Sequence, residues 1–147
     1  MKNHSQKAVE LFKQGYNCAQ AVAGAYADEV GIDFETLIKL SSSFGGGMGR
    51  LREVCGAVSA IFLIAGLKKG YSIPNNDDVK QSHYELIQKL GHSFKDKNGS
   101  IICRELLNLD ETESSPVPTK RTEEFYETRP CAKLIESACK ILDENLT

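Results

Sequence analysis

The sequence lacks a long apolar segment and a strong charge of either sign. Its 18 lysines and arginines nearly balance its 20 aspartates and glutamates, which argues against nucleic acid or an anionic membrane as a general partner. The longest apolar run, residues 55–67, has 13 residues, whereas a membrane-spanning helix needs roughly 20. The amino-terminal stretch MKNHSQKAVELFK has no apolar core of the kind that a secretory signal contains. We therefore expect a cytoplasmic protein without a membrane partner.

Strand patterns and internal repeats are also missing, since apolar and polar residues never alternate for more than four residues. Helical spacing and caps instead predict a single all-α domain over residues 1–147, a bundle of about five or six helices. The longer helical patterns cover residues 5–13, 17–30, 34–43, 54–70, 77–97 and 130–146, and a shorter one covers residues 101–108. Segment 54–70 is apolar on nearly every face and is the predicted buried central helix. Residues 108–122, with two prolines and many polar side chains, are a predicted surface linker.

No Cys-x-x-C motif is present, although the chain has five cysteines. In a reducing cytosol they are not expected to form permanent disulfides, and an odd number leaves at least one unpaired. Four of them fall near predicted helix starts: Cys18, Cys55, Cys103 and Cys131. The free N–H groups and partial positive charge of a helix start favour a thiolate, and such positions can lower a cysteine pKa from about 8.5 to roughly 3.5–7.5. We therefore predict that these four cysteines are reactive.

The fifth cysteine, Cys139, falls in the middle of the last predicted helix. Its separation from Cys131 by eight residues corresponds to about 80° around the helix axis and about 12 Å along it. These two side chains therefore do not both face one compact site, and we expect Cys139 to pack in the core as a small hydrophobic residue. Three of the other cysteines have an arginine close by in sequence: Arg52, Arg104 or Arg129.

The stretch Phe44–Gly49, FGGGMG, is neither a phosphate-binding loop nor a dinucleotide fingerprint, because no strand precedes it and no Gly-Lys-Ser/Thr ending follows. Consecutive glycines permit positive φ angles and a close approach of bare backbone to another group. Gly45, Gly46, Gly47 and Gly49 are therefore candidates for an anion-binding nest that holds a thiolate, a cluster sulfide or an anionic substrate. The alternative is that they only turn the chain between two packed helices.

Six segments of the chain form a recognisable pattern: Gly15–Val22, Phe44–Gly49, Cys55–Ala60, Gly66–Leu67 with Gly70, Cys103–Leu107 and Cys131. This pattern resembles a family of small bacterial and archaeal redox-active proteins named for a C_GCAxxG_C_C pattern, which share four cysteines and a Cys-Gly-Ala-x-x-Gly motif. Ala60 stands where the motif has glycine, so we expect slightly wider helix packing there. The resemblance implies a redox role, with the family's four cysteines at Cys18, Cys55, Cys103 and Cys131.

Three functions stay open at this point. The first is a thiol-based redox protein, an oxidoreductase that cycles two cysteine pairs between dithiol and disulfide and acts on a redox partner or a small-molecule substrate. The second uses the same four cysteines to bind zinc or an iron–sulfur cluster, with His4, His83 and His92 as auxiliary candidates. The third is a non-catalytic module that binds a small molecule or a partner through the glycine stretch. The sequence does not distinguish a monomer from a homodimer.

Overall fold

The computed structural model describes residues 3–109 and 115–146, which form an all-α bundle, as predicted. In chain order, its helical segments are α1 (His4–Lys13), α2 (Cys18–Ala25), α3 (Ala27–Val30), α4 (Phe34–Ser41), α5 (Gly45–Met48), α6 (Gly56–Lys69), α7 (Asp77–Asn98), α8 (Cys103–Leu106), α9 (Glu123–Thr128) and α10 (Cys131–Leu146). Six of these described segments have eight or more residues, which agrees with the predicted number of helices. Among the same residues, the only strand-like pairing is an isolated antiparallel bridge between Val54 and Ile102.

The predicted central helix is α6, and eight of its residues are buried. It packs against α2, α7 and α10, and α2 packs in turn against α1 and α4. A helix with neighbours on most sides needs apolar residues on most sides, which explains why α6 has no polar face. Because α2, α6 and α10 share this core, the cysteines at their amino-terminal ends belong to the same region of the molecule.

The predicted helix over residues 17–30 is divided at Tyr26, where the backbone leaves helical geometry at φ −106° and ψ 6°. The Tyr26 side chain is buried, and its hydroxyl donates to the carbonyl of Cys139 at 3.0 Å and to Asp143 Oδ1 at 2.8 Å. Both acceptors lie on α10, more than 110 residues away. This contact ties the end of α2 to α10 and so helps to set the distance between the two helices.

The other helix boundaries lie closer to the predicted ones. Gly91 does not interrupt α7, and the last helix begins at Cys131, one residue after Pro130. The short helix α9 was not predicted. Residues 115–122 of the predicted linker are irregular, and residues 110–114 lie outside the described residues. Within the part of the chain that the structure describes, no helix combines the length and the apolar character needed to cross a bilayer.

Candidate functional site

The four cysteines predicted at helix starts are found there. Cys18, Cys103 and Cys131 are the first residues of α2, α8 and α10, and Cys55 directly precedes α6. All four line one cavity of about 450 Å³, which we call the cysteine cavity. Its described lining also includes six glycines, four arginines and several apolar side chains: Gly15, Gly45, Gly46, Gly47, Gly49, Gly56, Arg50, Arg52, Arg121, Arg129, Phe12, Leu106, Leu107 and Leu134.

Backbone pairing brings Cys55 and Cys103 together. The Cys55 N–H donates to the carbonyl of Ile101 at 2.8 Å, and the Cys103 N–H donates to the carbonyl of Glu53 at 2.6 Å. Gly47 packs directly on this pairing, because a Cβ atom there would lie 2.6 Å from the Cβ of Cys103. Only glycine fits at that distance, so Gly47 is required for the approach of the glycine stretch to Cys103.

A second glycine brings Cys18 close to Cys55. A Cβ atom at Gly56 would lie 2.9 Å from the carbonyl oxygen of Phe44 and 3.3 Å from the Cβ of Cys18, so its absence lets α6 start against the start of α2. Asn17 holds that end of α2 with a capping box, accepting from the N–H of Gln20 at 2.9 Å while its own N–H donates to the Gln20 side chain at 3.0 Å.

The glycine stretch forms a left-handed turn. Five consecutive residues have positive φ: Gly46 (66°), Gly47 (76°), Met48 (68°), Gly49 (61°) and Arg50 (65°). This conformation costs other residues about 1–2 kcal/mol each, and glycine avoids most of that cost. The turn presents bare backbone to the cysteine cavity, as the sequence predicts; a role in ligand binding stays a prediction.

Cys18 and Cys131 lie close enough for each thiol to affect the ionisation of the other, and a hydrogen bond from the Cys18 thiol favours the thiolate of Cys131. This hydrogen bond is the largest influence on Cys131 and, against the opposing effect of burial, lowers its pKa to about 7; the charges of Arg129 and Arg121 add to the lowering. The same contact, together with burial and the neighbouring sulfurs, raises the pKa of Cys18 well above its ordinary value. The pair is therefore a thiolate on Cys131 that is stabilised by a thiol on Cys18.

The pKa values of Cys55 and Cys103 are raised, whereas a helix start was expected to lower them. Burial raises the pKa of Cys55 to about 12, although the N–H groups of Ala57 and Val58 act in the opposite direction. Burial also raises the pKa of Cys103, and this effect exceeds that of Arg52, whose Nη1 lies 3.7 Å from Cys103 Sγ. The prediction that a helix start lowers the pKa is thus wrong for Cys18, Cys55 and Cys103. For Cys18 the interaction with Cys131 and burial together outweigh the effect of the helix start, and for Cys55 and Cys103 burial does so.

Arg50 and Arg121 also line the cysteine cavity, and their neighbours in the sequence do not predict that position. Arg50 donates from Nε to the carbonyl of Ser115 at 2.8 Å and from Nη1 to Thr119 Oγ1 at 2.8 Å, which fixes that segment beside the cavity. Arg121 donates to the carbonyls of Phe12 and Tyr16 at 2.8 and 3.0 Å. These contacts join residues 65 or more positions apart, so only the fold reveals them.

Cys139 lies apart from the other four cysteines, as predicted. It is fully buried within α10, and burial raises its pKa to about 12. Its neighbours are Tyr26 and Asp143 rather than another thiol. All five cysteines are free thiols.

The three histidines do not join the site. His4 stacks on Tyr26 with ring centroids 4.0 Å apart, His83 packs edge-on against Tyr71, and His92 borders a different cavity. In residues 3–109 and 115–146, no three or more His, Cys, Asp or Glu side chains are arranged so that they could hold a metal ion. The described arrangement therefore does not fit a zinc site or a cluster site.

The pKa difference among the thiols has a measurable consequence. We expect iodoacetamide to alkylate Cys131 first, at a rate that rises with pH and has its midpoint near pH 7, because the thiolate is the reacting form. In Cys18→Ala the donated hydrogen bond is lost, so the midpoint should move to higher pH. Mass-spectrometric rates of labelling at each cysteine between pH 5 and 9 test this. A midpoint that stays in place in Cys18→Ala, or equally fast labelling of Cys55, would contradict it.

Comparison with known proteins gives one match. No curated protein matches the chain, and no solved structure matches it. The family model described as "Putative redox-active protein (C_GCAxxG_C_C)" matches residues 16–145, a range that includes the four cysteines of the cavity and the left-handed glycine turn. The resemblance seen in the sequence is thereby confirmed, and the chain belongs to the C_GCAxxG_C_C family.

Proposed function

We propose that this protein carries out thiol–disulfide exchange, with Cys131 as the attacking thiolate and Cys18 as the resolving thiol. The observation that carries the proposal is that Cys18 and Cys131, the first residues of α2 and α10, line the same cavity of about 450 Å³, where each thiol affects the ionisation of the other. A cavity of that size is within the range of small-molecule sites.

The proposed reaction has two exchange steps. In the first, Cys131 thiolate attacks one sulfur of a substrate disulfide, R–S–S–R, so that a Cys131–S–S–R mixed disulfide forms and one R–S⁻ leaves. In the second, Cys18 gives up its proton to solvent and attacks Cys131 Sγ. This step forms the Cys18–Cys131 disulfide and releases the second R–S⁻. The protein loses two electrons and the substrate gains them.

Cys131 is the favoured nucleophile by a margin that can be estimated. At pH 7 about half of a thiol with a pKa of about 7 is thiolate, against about one part in 10⁵ for the pKa of about 12 at Cys55. The more basic thiolate is the better nucleophile, by about 300-fold for a Brønsted slope near 0.5. The net advantage of Cys131 is then on the order of a hundredfold.

We further propose that Cys55 and Cys103 form the second pair. They line the same cavity as the first pair and are held beside each other by the backbone pairing of Val54 with Ile102. As a dithiol they can attack the Cys18–Cys131 disulfide and become a disulfide themselves, which returns Cys131 to the thiolate form. One reduced protein would then donate four electrons in two stages, and Cys139 would take no part.

Counting thiols in the denatured protein after oxidation tests this function. The fully reduced protein has five thiols, and treatment with one equivalent of neutral hydroxyethyl disulfide should leave three, with no hydroxyethylthio group retained. Excess reagent should leave one. A count that stays at five, or a persistent mixed disulfide, would overturn the proposal. Metal analysis of the same preparation, purified without oxygen, completes the test, because stoichiometric zinc or iron bound by the thiols would favour the metal-binding alternative.

A further inference from the structure

The charged side chains that line the cysteine cavity, among the residues that the structure describes, are of one sign. Among the described residues that line it, four are arginines and none is an aspartate or a glutamate. The whole chain, by contrast, carries a net charge of −2. A concentration of one charge in a concave, partly apolar site raises the local concentration of ligands of the opposite charge and speeds their association.

Two of these arginines lie next to the proposed nucleophile. Arg129 precedes Cys131 by two residues, is partly exposed, and has its guanidinium 5.7 Å from the centre of the Phe125 ring. The guanidinium of Arg121 lies 4.1 Å from the centre of the Phe12 ring and is fixed by its bonds to the carbonyls of Phe12 and Tyr16. Neither arginine bonds a carboxylate among the hydrogen bonds and ion pairs described for it, and both charges act on Cys131.

From this arrangement we infer that the cysteine cavity selects small disulfides that carry carboxylates. The inference rests on the proposed function and names its substrate class. Because the charge of Arg129 acts on Cys131, we expect a carboxylate two or three carbons from the disulfide to pair with the Arg129 guanidinium while the disulfide lies against Cys131. Guanidinium groups bind carboxylates with two parallel hydrogen bonds, which orients the substrate as well as attracting it. The methylene groups of such a ligand contact Phe125 and Leu134, and the exchange steps are those given above.

The test is the rate at which the reduced protein reacts with three disulfides of similar size and different charge. Dithiodipropionate has two carboxylates, hydroxyethyl disulfide is neutral and cystamine has two ammonium groups. At pH 7 and low ionic strength, we expect the dianion to react about tenfold faster than the neutral disulfide, and the dication to react slowest. The advantage of the dianion should shrink as salt is added. Intrinsic reactivity differs among the reagents, so each rate is divided by the rate with free 2-mercaptoethanol, which has no charged group besides its thiolate.

Three variants identify the origin of the preference. In Arg129→Gln the ratio of the dianion rate to the neutral rate should fall several-fold, whereas Arg129→Lys should keep most of it. Lys140→Gln removes the same net charge at an exposed position outside the cavity lining, and should leave the ratio unchanged. The ratio is the deciding quantity because the change that Arg129→Gln makes to the pKa of Cys131 affects both reagents alike.

The outcomes separate this inference from the proposed function. A higher ratio for the dianion that depends on Arg129 supports the inference. Equal normalised rates for the three reagents, with a Cys18–Cys131 disulfide as the product each time, would overturn the charge selection and leave the exchange function intact. Failure of all three reagents to produce a disulfide within the protein would overturn the exchange function itself, and the substrate class with it.

Discussion

Replacing Cys131 with serine is expected to lower the rate of thiol–disulfide exchange at pH 7 by about a hundredfold or more. The serine hydroxyl is not a nucleophile at this pH, and the nearest remaining thiol, Cys18, has a raised pKa and is mostly protonated. The measurement is the initial rate with hydroxyethyl disulfide, followed by the release of hydroxyethanethiol. Serine is close in size to cysteine, so the fold should be retained, and an unchanged helical circular dichroism spectrum verifies that.

Two matched variants assign the separate roles. Cys18→Ser should still react, but the reaction should stop at the Cys131 mixed disulfide, because the resolving thiol is missing; the added mass identifies it. Cys139→Ser should react like the unaltered protein, since Cys139 lies outside the cavity among Tyr26 and Asp143. If Cys139→Ser loses as much activity as Cys131→Ser, the assignment of the reactive cysteines is wrong.

Replacing Gly47 with alanine is expected to lower the free energy of unfolding by about 2–5 kcal/mol. The new methyl group would lie 2.6 Å from the Cβ of Cys103 and 2.9 Å from the Cα of Arg52, and overpacking of this kind costs about 1–3 kcal/mol. The left-handed backbone, at φ 76°, adds about 1–2 kcal/mol for a residue with a side chain. Urea unfolding followed by circular dichroism gives the change in stability. The exchange rate should also fall, because Cys103 and the glycine turn must move apart.

Gly66→Ala is the matched control. It makes the same chemical change within α6, where an added Cβ meets nothing within 4 Å and the backbone is helical. Alanine is favoured over glycine in a helix interior, so this variant should gain about 0.5–1 kcal/mol. Equal unfolding midpoints for Gly47→Ala and the unaltered protein would show that the glycine stretch does not fit against Cys103 as described.

Local sequence signals were sufficient to place the four cysteines of the site. Asn17 before Cys18 and the glycine stretch before Cys55 mark helix starts with short-range chemistry, and these starts are found where predicted. The apolar character of segment 54–70 predicted its central position for a similarly local reason. The mid-helix position of Cys139 predicted its separation from the site, because the geometry of one helix decides it.

The features of the site that were not predicted from the sequence depend on contacts between distant residues. The pKa of Cys55 is set by burial, and burial depends on how α2 and α6 pack rather than on the residues next to Cys55. The hydrogen bond between Cys18 and Cys131 joins residues from the two ends of the chain. The position of Arg121 beside the cavity depends on the backbone carbonyls of Phe12 and Tyr16. None of these pairings has a short-range pattern, so the two cysteines that act together could not be chosen from the sequence alone.

The most direct test of the account is to identify which cysteines form the first disulfide. The reduced protein is treated with one equivalent of hydroxyethyl disulfide, the remaining thiols are blocked with iodoacetamide, and the cross-linked peptides are identified by mass spectrometry after proteolysis without reduction. In samples blocked at successive times, we expect the first cross-link to join Cys18 and Cys131 and a cross-link between Cys55 and Cys103 to follow it, with Cys139 alkylated once the chain is unfolded. A first disulfide that includes Cys139, or a Cys55–Cys103 disulfide that forms before any cross-link between Cys18 and Cys131, would contradict this order.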